Sequence, residues 1–255
     1  MKKIKLNKYE KKTFRDMLVL LPLLLLIVVM SRSIPDGTLR YQLPENNVGE
    51  KAIALTFDDG PGGCTQELLD GLKQYNAKAS FFVVGSKAEK NPEIVKRAYD
   101  EGHLIGNHTY DHIRLPFKSM EECEENIGKT FNIIENITGE RTMYFRAPYG
   151  DVSAYQLKEL DVVFVSWSLS SLDWKNKDAD YIYERIMKKA SDGDIILLHD
   201  TNEETVEAVL RAIPELQEQG YEFVRVDELL SRNGEKIKKG TPYRWCKYER
   251  TAFSF

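Results

Sequence analysis

Short apolar runs alternate with longer amphipathic segments through most of the chain. The first run, Ala52 to Phe57, ends in two adjacent carboxylates, Asp58 and Asp59, and then in a Gly-Pro turn. Uninterrupted apolar runs of this length are typical of buried strands, and a Gly-Pro pair ends a strand. The pattern therefore predicts Asp58 and Asp59 at the C-terminal end of a core strand, with their side chains on opposite sides.

The same order of strand and helix repeats about seven times along the chain. The later strands are predicted at residues 79–84, 102–108, 142–145, 162–167, 194–198 and 221–226. The helices are predicted at residues 65–75, 87–101, 119–137, 153–160, 179–190 and 205–219. Such alternation indicates parallel strands covered by helices, and we expect an α/β fold that forms a distorted (β/α)7 barrel, with a doubly wound open sheet as the alternative. In both folds, chemistry belongs at the C-terminal ends of the strands.

The beginning of the chain follows a different pattern. Residues 1–16 are rich in lysine, and residues 17–30 form an uncharged apolar run that contains one proline. As a helix this run would span about 21 Å, which is short of the ~30 Å hydrocarbon core of a bilayer. It is either a transmembrane signal anchor, which we favour, or the hydrophobic region of a signal peptide. In both cases a basic segment that precedes the run stays in the cytoplasm. The expected locations are therefore the cell membrane, in single-pass form with the rest of the chain extracytoplasmic, or secretion.

The remaining chain divides into three parts. Residues 31–49, with their prolines and glycines, are predicted to form a stem, residues 50–230 hold all the predicted strands and helices and form the candidate catalytic domain, and residues 231–255 form a C-terminal extension without an assigned role. The net charge of −4 and the absence of a basic stripe with interleaved aromatic residues argue against nucleic acid as a partner. The three cysteines, at positions 64, 123 and 246, are too scattered for a disulfide framework.

Two histidines, His108 and His112, stand four residues apart after a predicted strand. On a helical turn they would share one face, as two ligands of one metal ion must. A carboxylate from another strand end would complete a set of two histidines and one carboxylate, which is typical of hydrolytic zinc sites. The same donor set suits non-haem iron, so the residues leave the metal's identity open.

Other polar residues also follow predicted strands. His199 comes directly after an apolar run and would be a candidate general acid if it faced a metal site, although a single histidine at a strand end is more often structural. Arg146 could pair with a carboxylate, and Asp173 could tune a neighbouring histidine. Trp174 could form a wall of the pocket. His103 stands near the start of its predicted strand and not at the end, and we predict a structural role for it.

Five of these stretches, in this order, resemble the five motifs of the polysaccharide deacetylases, also called carbohydrate esterase family 4 or the NodB-homology group. They are Thr56-Phe57-Asp58-Asp59-Gly60-Pro61, His108-Thr109-Tyr110-Asp111-His112, Arg146-Ala147-Pro148-Tyr149, Asp173-Trp174 and Leu197-Leu198-His199. The resemblance spans residues 50–230. It implies a distorted βα barrel that removes N-acetyl, and sometimes O-acetyl, groups from sugar polymers.

Carried over by position, the resemblance implies a role for each matching residue. The implied roles are general base for Asp58, metal ligand for Asp59, His108 and His112, catalytic acid for His199, support of the base for Arg146, tuning of the acid for Asp173, an oxyanion-binding backbone N–H for Tyr149, contact with the acetyl methyl for Leu197, and further pocket contacts for Pro148 and Trp174. One position departs from the family pattern. Where the family often has an acidic residue three positions before the aspartate of Asp-Trp, this chain has Ser170.

The implied reaction is the metal-dependent hydrolysis of an N-acetyl group, with release of acetate. Zn²⁺ is the first expectation for the metal, and Co²⁺, Mn²⁺, Ni²⁺ and Fe²⁺ stay open. The expected substrate is an amino-sugar polymer, first the N-acetylglucosamine of peptidoglycan and otherwise a chitin-like glycan. Two alternatives remain: an O-acetyl esterase or other amide hydrolase on the same scaffold, and a glycan-binding relative without activity.

Overall fold

The computed structural model describes residues 51–232 and 236–244. The predicted cytoplasmic segment, signal anchor and stem lie outside these residues, so those interpretations stay predictions. Within the described ranges, no helix combines the length and the apolar character needed to cross a membrane.

The described part of the chain contains a sheet of eight parallel strands. The strands are β1 (Lys51–Asp58), β2 (Ala79–Val83), β3 (Leu104–Asn107), β4 (Tyr144–Phe145), β5 (Val163–Phe164), β6 (Leu169–Ser170), β7 (Ile195–His199) and β8 (Tyr221–Phe223). Their order is β5-β4-β3-β2-β1-β7-β6, and β8 pairs with the first residues of β1. This all-parallel arrangement confirms the predicted α/β class and the incomplete βα barrel.

Eight helices lie between or after these strands in the described ranges. They are α1 (Thr65–Gln74), α2 (Gly85–Lys90), α3 (Pro92–Asp100), α4 (Met120–Thr138), α5 (Ala154–Glu159), α6 (Ala179–Lys189), α7 (Glu203–Glu218) and α8 (Val226–Ser231). Their ends follow local chemistry. Helix α4 begins at a capping box between Ser119 and Glu122 and ends at Gly139, whose φ of 81° is left-handed. Pro214 lies inside α7 without ending it.

Strand β1 lies in the interior of the sheet, because it pairs with β2 on one side and with β7 on the other. Helices cover the sheet, and residues 52–57 are at most 1 % exposed. Burial on both faces explains why this strand reads as a continuous apolar run rather than an alternating one. The two carboxylates that follow the run therefore stand at the end of a strand that is buried from its second residue onward.

Two predicted strands differ from the observed ones. The predicted strand at 162–167 is only two residues long, and a separate strand, β6, lies in what we predicted to be a polar loop. The cause is non-local: Ser168 donates its N–H to the carbonyl of Ile195 at 3.0 Å, and Ser171 donates to Leu197 at 3.1 Å. Likewise, the last strand ends at Phe223, because the chain turns into helix α8, which the pattern did not predict.

Part of the C-terminal extension lies along the edge strand β5. The N–H of Tyr243 donates to the carbonyl of Phe164 at 2.9 Å, and Ser166 donates to the carbonyl of Tyr243 at 2.6 Å. Lys239 pairs with Asp161 at 2.6 Å. An unpaired strand edge exposes N–H and C=O groups to other chains, and this segment covers that edge. The extension thus has a structural role that the sequence pattern did not reveal.

Candidate active site

The predicted site residues meet where the parallel strands end. Asp58 and His199 are the last residues of β1 and β7 and are partners in register. Asn107, at the end of β3, is the register partner of Phe145 in β4. The residues that follow this pair, His108 and Arg146, are therefore neighbours. Pairing in the sheet brings together residues that are up to 141 positions apart in the chain (199 − 58).

Asp59, His108 and His112 form a cluster that could hold a metal ion, with their candidate ligand atoms within 4.8 Å of one another. Asp59 Oδ1 lies 3.1 Å from His112 Nε2 and 3.5 Å from His108 Nε2. This oxygen is buried and accepts no well-aligned hydrogen bond. A buried carboxylate oxygen without a donor is costly, and coordination would satisfy it. Two imidazoles and one carboxylate therefore fit a divalent metal ion.

The tautomer of His108 also suits a ligand. Its Nδ1 lies 2.7 Å from the backbone oxygen of Arg146, which can only accept a hydrogen bond. Nδ1 therefore carries the proton, and the lone pair of Nε2 faces Asp59. Burial, with the nearby His112, lowers the pKa of His108 and favours the neutral ring that metal binding requires.

We predicted that the two histidines lie on a helical turn, and this prediction is wrong. Residues 108–114 form an irregular loop in which Thr109 and His112 have φ values of 64° and 55°. The loop is held by two side-chain amides: Asn107 Oδ1 accepts from the Thr109 N–H at 2.8 Å, and Asn126 Oδ1 accepts from the Tyr110 N–H at 2.6 Å. These bonds replace helical ones and bring the imidazole centroids to 5.0 Å.

The two adjacent carboxylates do not point to opposite sides, which corrects another prediction. Asp58 Oδ2 lies 3.7 Å and Asp59 Oδ1 lies 3.5 Å from the same atom, His108 Nε2. Strand alternation no longer applies to Asp59, because it lies beyond the end of β1 and has a φ of 70°. Burial opposes the negative charge of Asp59, but the neighbouring imidazoles of His112, His108 and His199 outweigh it and hold its pKa far below the usual range.

Asp58 is paired with Arg146. Arg146 Nη1 donates to Asp58 Oδ1 at 2.8 Å, and both side chains are almost completely buried. Arg146 Nη1 also donates to Thr56 Oγ1 at 2.7 Å, and its other nitrogens donate to the carbonyls of Val165 and Ser166. The opposite charge and the filled hydrogen bonds compensate for burying both ions. Oδ2 of Asp58 stays directed at the metal-ligand cluster.

His199 is paired with Asp173, which is fully buried. His199 Nδ1 donates to Asp173 Oδ1 at 2.9 Å, and the His199 backbone N–H donates to Oδ2 at 2.7 Å. Burial opposes protonation, but the Asp173 hydrogen bond and charge, with the charges of Asp58 and Asp59, raise the pKa of His199 to about 9. Nε2 of His199 has no hydrogen-bond partner among the described residues. His199 is therefore a protonated, oriented donor at neutral pH.

The residues predicted to contact substrate occupy different positions around this group. Leu197 lies two residues before His199 on β7 and so on the same face of the strand, largely buried. Pro148 is buried in the turn after β4, and the ring of Tyr149 is 61 % exposed and lies 4.8 Å from the His112 ring. Trp174 is equally exposed, and its backbone N–H donates to Asp173 Oδ1 at 2.9 Å.

The departure at Ser170 does not prevent the contact between Asp173 and His199. The Ser170 carbonyl accepts a hydrogen bond from Arg185 Nε at 2.7 Å, and Ser170 is the register partner of Leu197. His103, predicted to be structural, is buried and accepts the N–H of Ala79 at its Nδ1 at 3.1 Å.

Sequence reasoning missed several supporting residues. They are Thr56, Asn107, Thr205, which donates to Asp173 Oδ2 at 3.0 Å, and Asp200, whose Oδ2 accepts from Thr65 Oγ1 at 2.6 Å. Thr56 had a readable signal, since it stands two residues before Asp58 and so on the same face of the strand. Asp200 lies against Gly60, where a Cβ atom would come within 2.3 Å of its Oδ2. Only glycine fits there, which fixes the backbone next to Asp59.

Residues 45–163 match the family model described as polysaccharide deacetylase. The peptidoglycan-N-acetylglucosamine deacetylase PgdA of Listeria monocytogenes is 38 % identical over 216 residues, which are 84 % of this chain and 46 % of that protein. This chain thus spans about half the length of that relative. A peptidoglycan-N-acetylglucosamine deacetylase of Bacillus cereus is 40 % identical over 207 residues, which are 77 % of this chain and 94 % of the relative.

A solved structure supports the fold as well as the sequence match. The peptidoglycan deacetylase PdaC of Bacillus subtilis is similar with a TM-score of 0.70 and 37 % identity, over 72 % of this chain and 92 % of that one. The parallel sheet, the His and Asp cluster and the motif order agree with these matches. The chain therefore belongs to the polysaccharide deacetylase family.

Proposed function

We propose that the protein is a metal-dependent hydrolase that removes N-acetyl groups from an amino-sugar polymer and releases acetate. The observation that supports this most strongly is the arrangement at the strand ends. A cluster of Asp59, His108 and His112 lies beside a buried carboxylate that faces His108, and a protonated His199 stands at the adjacent strand end. Metal-dependent amide hydrolysis needs a metal site, a base and an acid, and these groups supply all three.

Asp59, His108 and His112 would hold the metal. A divalent metal bound there would supply a Lewis acid that activates water and polarises the acetyl carbonyl. Asp58 would take the proton of the attacking water through Oδ2, since Oδ1 is occupied by Arg146. Zn²⁺ is our first choice, because two imidazoles and one carboxylate are its usual donors in hydrolases.

His199 would then protonate the leaving nitrogen. An amine is a poor leaving group, so the reaction needs an acid within reach. Nδ1 of His199 is held by Asp173, which leaves Nε2 as the donating atom. The hydrogen bond and charge of Asp173 raise the pKa of His199, which favours the protonated form that an acid needs.

The remaining predicted residues would bind the acetyl group. We assign the backbone N–H of Tyr149 to the developing oxyanion, because the positive φ of this residue turns its peptide out of regular geometry. Leu197 would face the acetyl methyl from the His199 side of the site. Pro148 and Trp174 would form walls of the pocket.

We propose the N-acetylglucosamine of peptidoglycan as the substrate. The two curated relatives described above are named for this activity, and the similar solved structure is named a peptidoglycan deacetylase. An extracytoplasmic location would bring the domain to this polymer. The basic residues 1–16 followed by the apolar run 17–30 support that location and a membrane anchor. Protease accessibility of the domain on intact cells, compared with lysed cells, tests it.

Acetate release from different substrates tests the proposed activity. Peptidoglycan, N-acetylglucosamine oligomers and acetylated xylan are each incubated with the protein, with added Zn²⁺ or with chelator. We expect acetate from the first two, lost with chelator and restored by metal. Release from xylan alone would establish the O-acetyl esterase. Binding of glycan without any release would establish the non-catalytic relative.

A further inference from the structure

We propose that Phe117, Arg114 and Tyr149 form a platform that binds the pyranose ring next to the sugar whose acetyl group reacts. This proposal rests on the proposed function, because it assumes a sugar polymer in the site. It assigns a binding role to Phe117 and Arg114, which belong to none of the five motifs, and a second role to the side chain of Tyr149.

The platform is a stack of two rings around one guanidinium. The guanidinium carbon of Arg114 lies 5.6 Å from the ring centroid of Phe117 and 5.1 Å from that of Tyr149. Both distances allow cation–π attraction. Phe117 is 77 % exposed and Tyr149 is 61 % exposed, so the stack leaves large aromatic surfaces in water. Neighbouring exposed aromatic side chains of this kind mark binding surfaces.

The stack begins at the candidate metal cluster. The Tyr149 ring meets the His112 ring edge-on, with centroids 4.8 Å apart. From His112 the contacts lead through Tyr149 and Arg114 to Phe117, away from the strand ends. A polymer whose acetyl group reaches the metal ligands would extend over these side chains with its next sugar.

The backbone holds the two rings in place before any ligand binds. Tyr149 has a φ of 63°, a conformation that costs a non-glycine residue on the order of 1–3 kcal/mol. The turn that holds it is closed by the Gly150 N–H, which donates to Ala147 at 3.0 Å. Phe117 ends a short turn whose first residue, Leu115, is fully buried and accepts from Gln156 Nε2 at 2.7 Å. Such preorganisation reduces the cost of binding.

The charge of the stack selects the kind of ligand. Arg114 Nε donates to Asp151 Oδ2 at 2.6 Å, so the guanidinium is already paired. Counted together with Asp151, the stack therefore has no net charge to attract a carboxylate. The C–H face of a neutral pyranose is the surface that fits two exposed aromatic rings. The platform should thus bind a neutral sugar, rather than an acidic substituent of the polymer.

Binding of an N-acetylglucosamine hexamer to the full chain, measured by calorimetry in chelator, tests the platform without catalysis. We expect Phe117→Ala to weaken binding by about 5- to 10-fold, the range of an aromatic contact. Phe117→Leu, which keeps apolar bulk but lacks a ring face, should weaken it similarly. Tyr155→Ala is the matched control, because Tyr155 is 62 % exposed and outside the stack. It should bind as the wild type does.

Catalysis separates this proposal from the proposed function. With Zn²⁺, Phe117→Ala should raise KM for the hexamer by the same factor, leave kcat unchanged and leave the hydrolysis of a small aryl acetate unchanged. Hexamer binding that Phe117→Ala does not weaken, or that the wild type lacks, overturns the platform. If the wild type releases no acetate but Phe117→Ala still weakens hexamer binding, the proposed reaction fails and the platform stands.

Discussion

The site contains two contacts between imidazole and carboxylate that differ in how fully the protein satisfies the carboxylate. Asp173 accepts hydrogen bonds from His199 twice, from Trp174 and from Thr205. Asp59 faces two imidazoles, yet its buried Oδ1 accepts no well-aligned hydrogen bond. The hydrogen bonds of Asp173 are thus filled, whereas Asp59 keeps a buried oxygen that could coordinate a metal ion.

This difference suits the two carboxylates to two different roles, although both face imidazoles. A carboxylate with filled hydrogen bonds fixes the position and charge of its imidazole, which suits an acid. A carboxylate with an unsatisfied oxygen that faces two imidazole nitrogens suits a metal ion. The backbone differs in the same way, since His199 ends a regular strand while Asp59 and His112 have positive φ values.

Replacing each carboxylate in turn by alanine should separate the metal ligand from the residue that supports the acid. Asp59→Ala should lower Zn²⁺ affinity by at least about 100-fold, because removing a ligand costs more than removing its supporting hydrogen bond. Asp173→Ala should keep one bound metal per chain. Calorimetric titration of both variants measures this. Equal loss of metal in the two variants would contradict the division of roles.

Asp173→Asn tests whether Asp173 supports His199 as the acid. We expect kcat to fall by about 10²- to 10⁴-fold, the usual contribution of a general acid. The alkaline limb of the pH–rate profile should also move to lower pH, since removing the Asp173 charge lowers the pKa of His199. A drop in rate with an unmoved alkaline limb would mean that Asp173 does not act through His199.

The pH dependence of the free energy of unfolding tests the raised pKa of His199. The pKa of His199 is about 9 in the folded protein, above its ordinary value of 6.5, so the folded state holds this proton more tightly. The stabilisation is fully present below pH 6.5 and is lost as the pH rises to about 9. Urea unfolding in chelator should show a loss on the order of 2 kcal/mol over this interval. The free energy of unfolding of His199→Gln should depend less on pH over this interval. A pH dependence equal to that of the wild type would exclude His199 as its source.

A third carboxylate, Asp200, shares one feature with Asp59 but does not belong to the cluster of candidate metal ligands. Asp200 also has a buried Oδ1 without a hydrogen bond, but this side chain lines a small cavity together with apolar residues such as Phe81 and Ile94. Burial raises the pKa of Asp200 to about 6, and the hydrogen bond from Thr65 only partly opposes this, so its charge destabilises the folded protein at pH 7.

Asp200→Asn should therefore raise stability by about 1–2 kcal/mol at pH 7.5 and lose this advantage toward pH 4. It should leave Zn²⁺ affinity within about twofold of the wild type, because Asp200 does not belong to the cluster. Thermal unfolding at both pH values and a metal titration measure these effects. A variant that loses metal would show that an unsatisfied carboxylate oxygen alone identifies a ligand here.

The sequence predicted which residues would meet, but not how the chain would hold them. Strand ends are readable from apolar runs, and parallel pairing brings Asp58 and His199 together whatever the loops do. The prediction of opposite sides for Asp58 and Asp59 was wrong because periodicity stops where the strand stops. The helical turn predicted for His108 and His112 was wrong for the same reason.

Loop geometry depends on distant residues that no local pattern shows. Asn126 lies on helix α4 and caps the loop of His108 from outside it. Arg146 follows β4 and binds Asp58 and Thr56 of β1, although β3 and β2 lie between these two strands in the sheet order. Strand β6 exists only through its pairing with β7. These contacts are tertiary, so composition and spacing could not supply them.

Acetate release by Asp58→Asn, measured on peptidoglycan with Zn²⁺ bound, tests whether Asp58 is the base. Asparagine keeps the shape of Asp58 but cannot accept the proton of water. We predict that the variant binds Zn²⁺ as the wild type does and loses at least about 100-fold in kcat. A variant that binds metal and still releases acetate at the wild-type rate would contradict the role of Asp58 as the base.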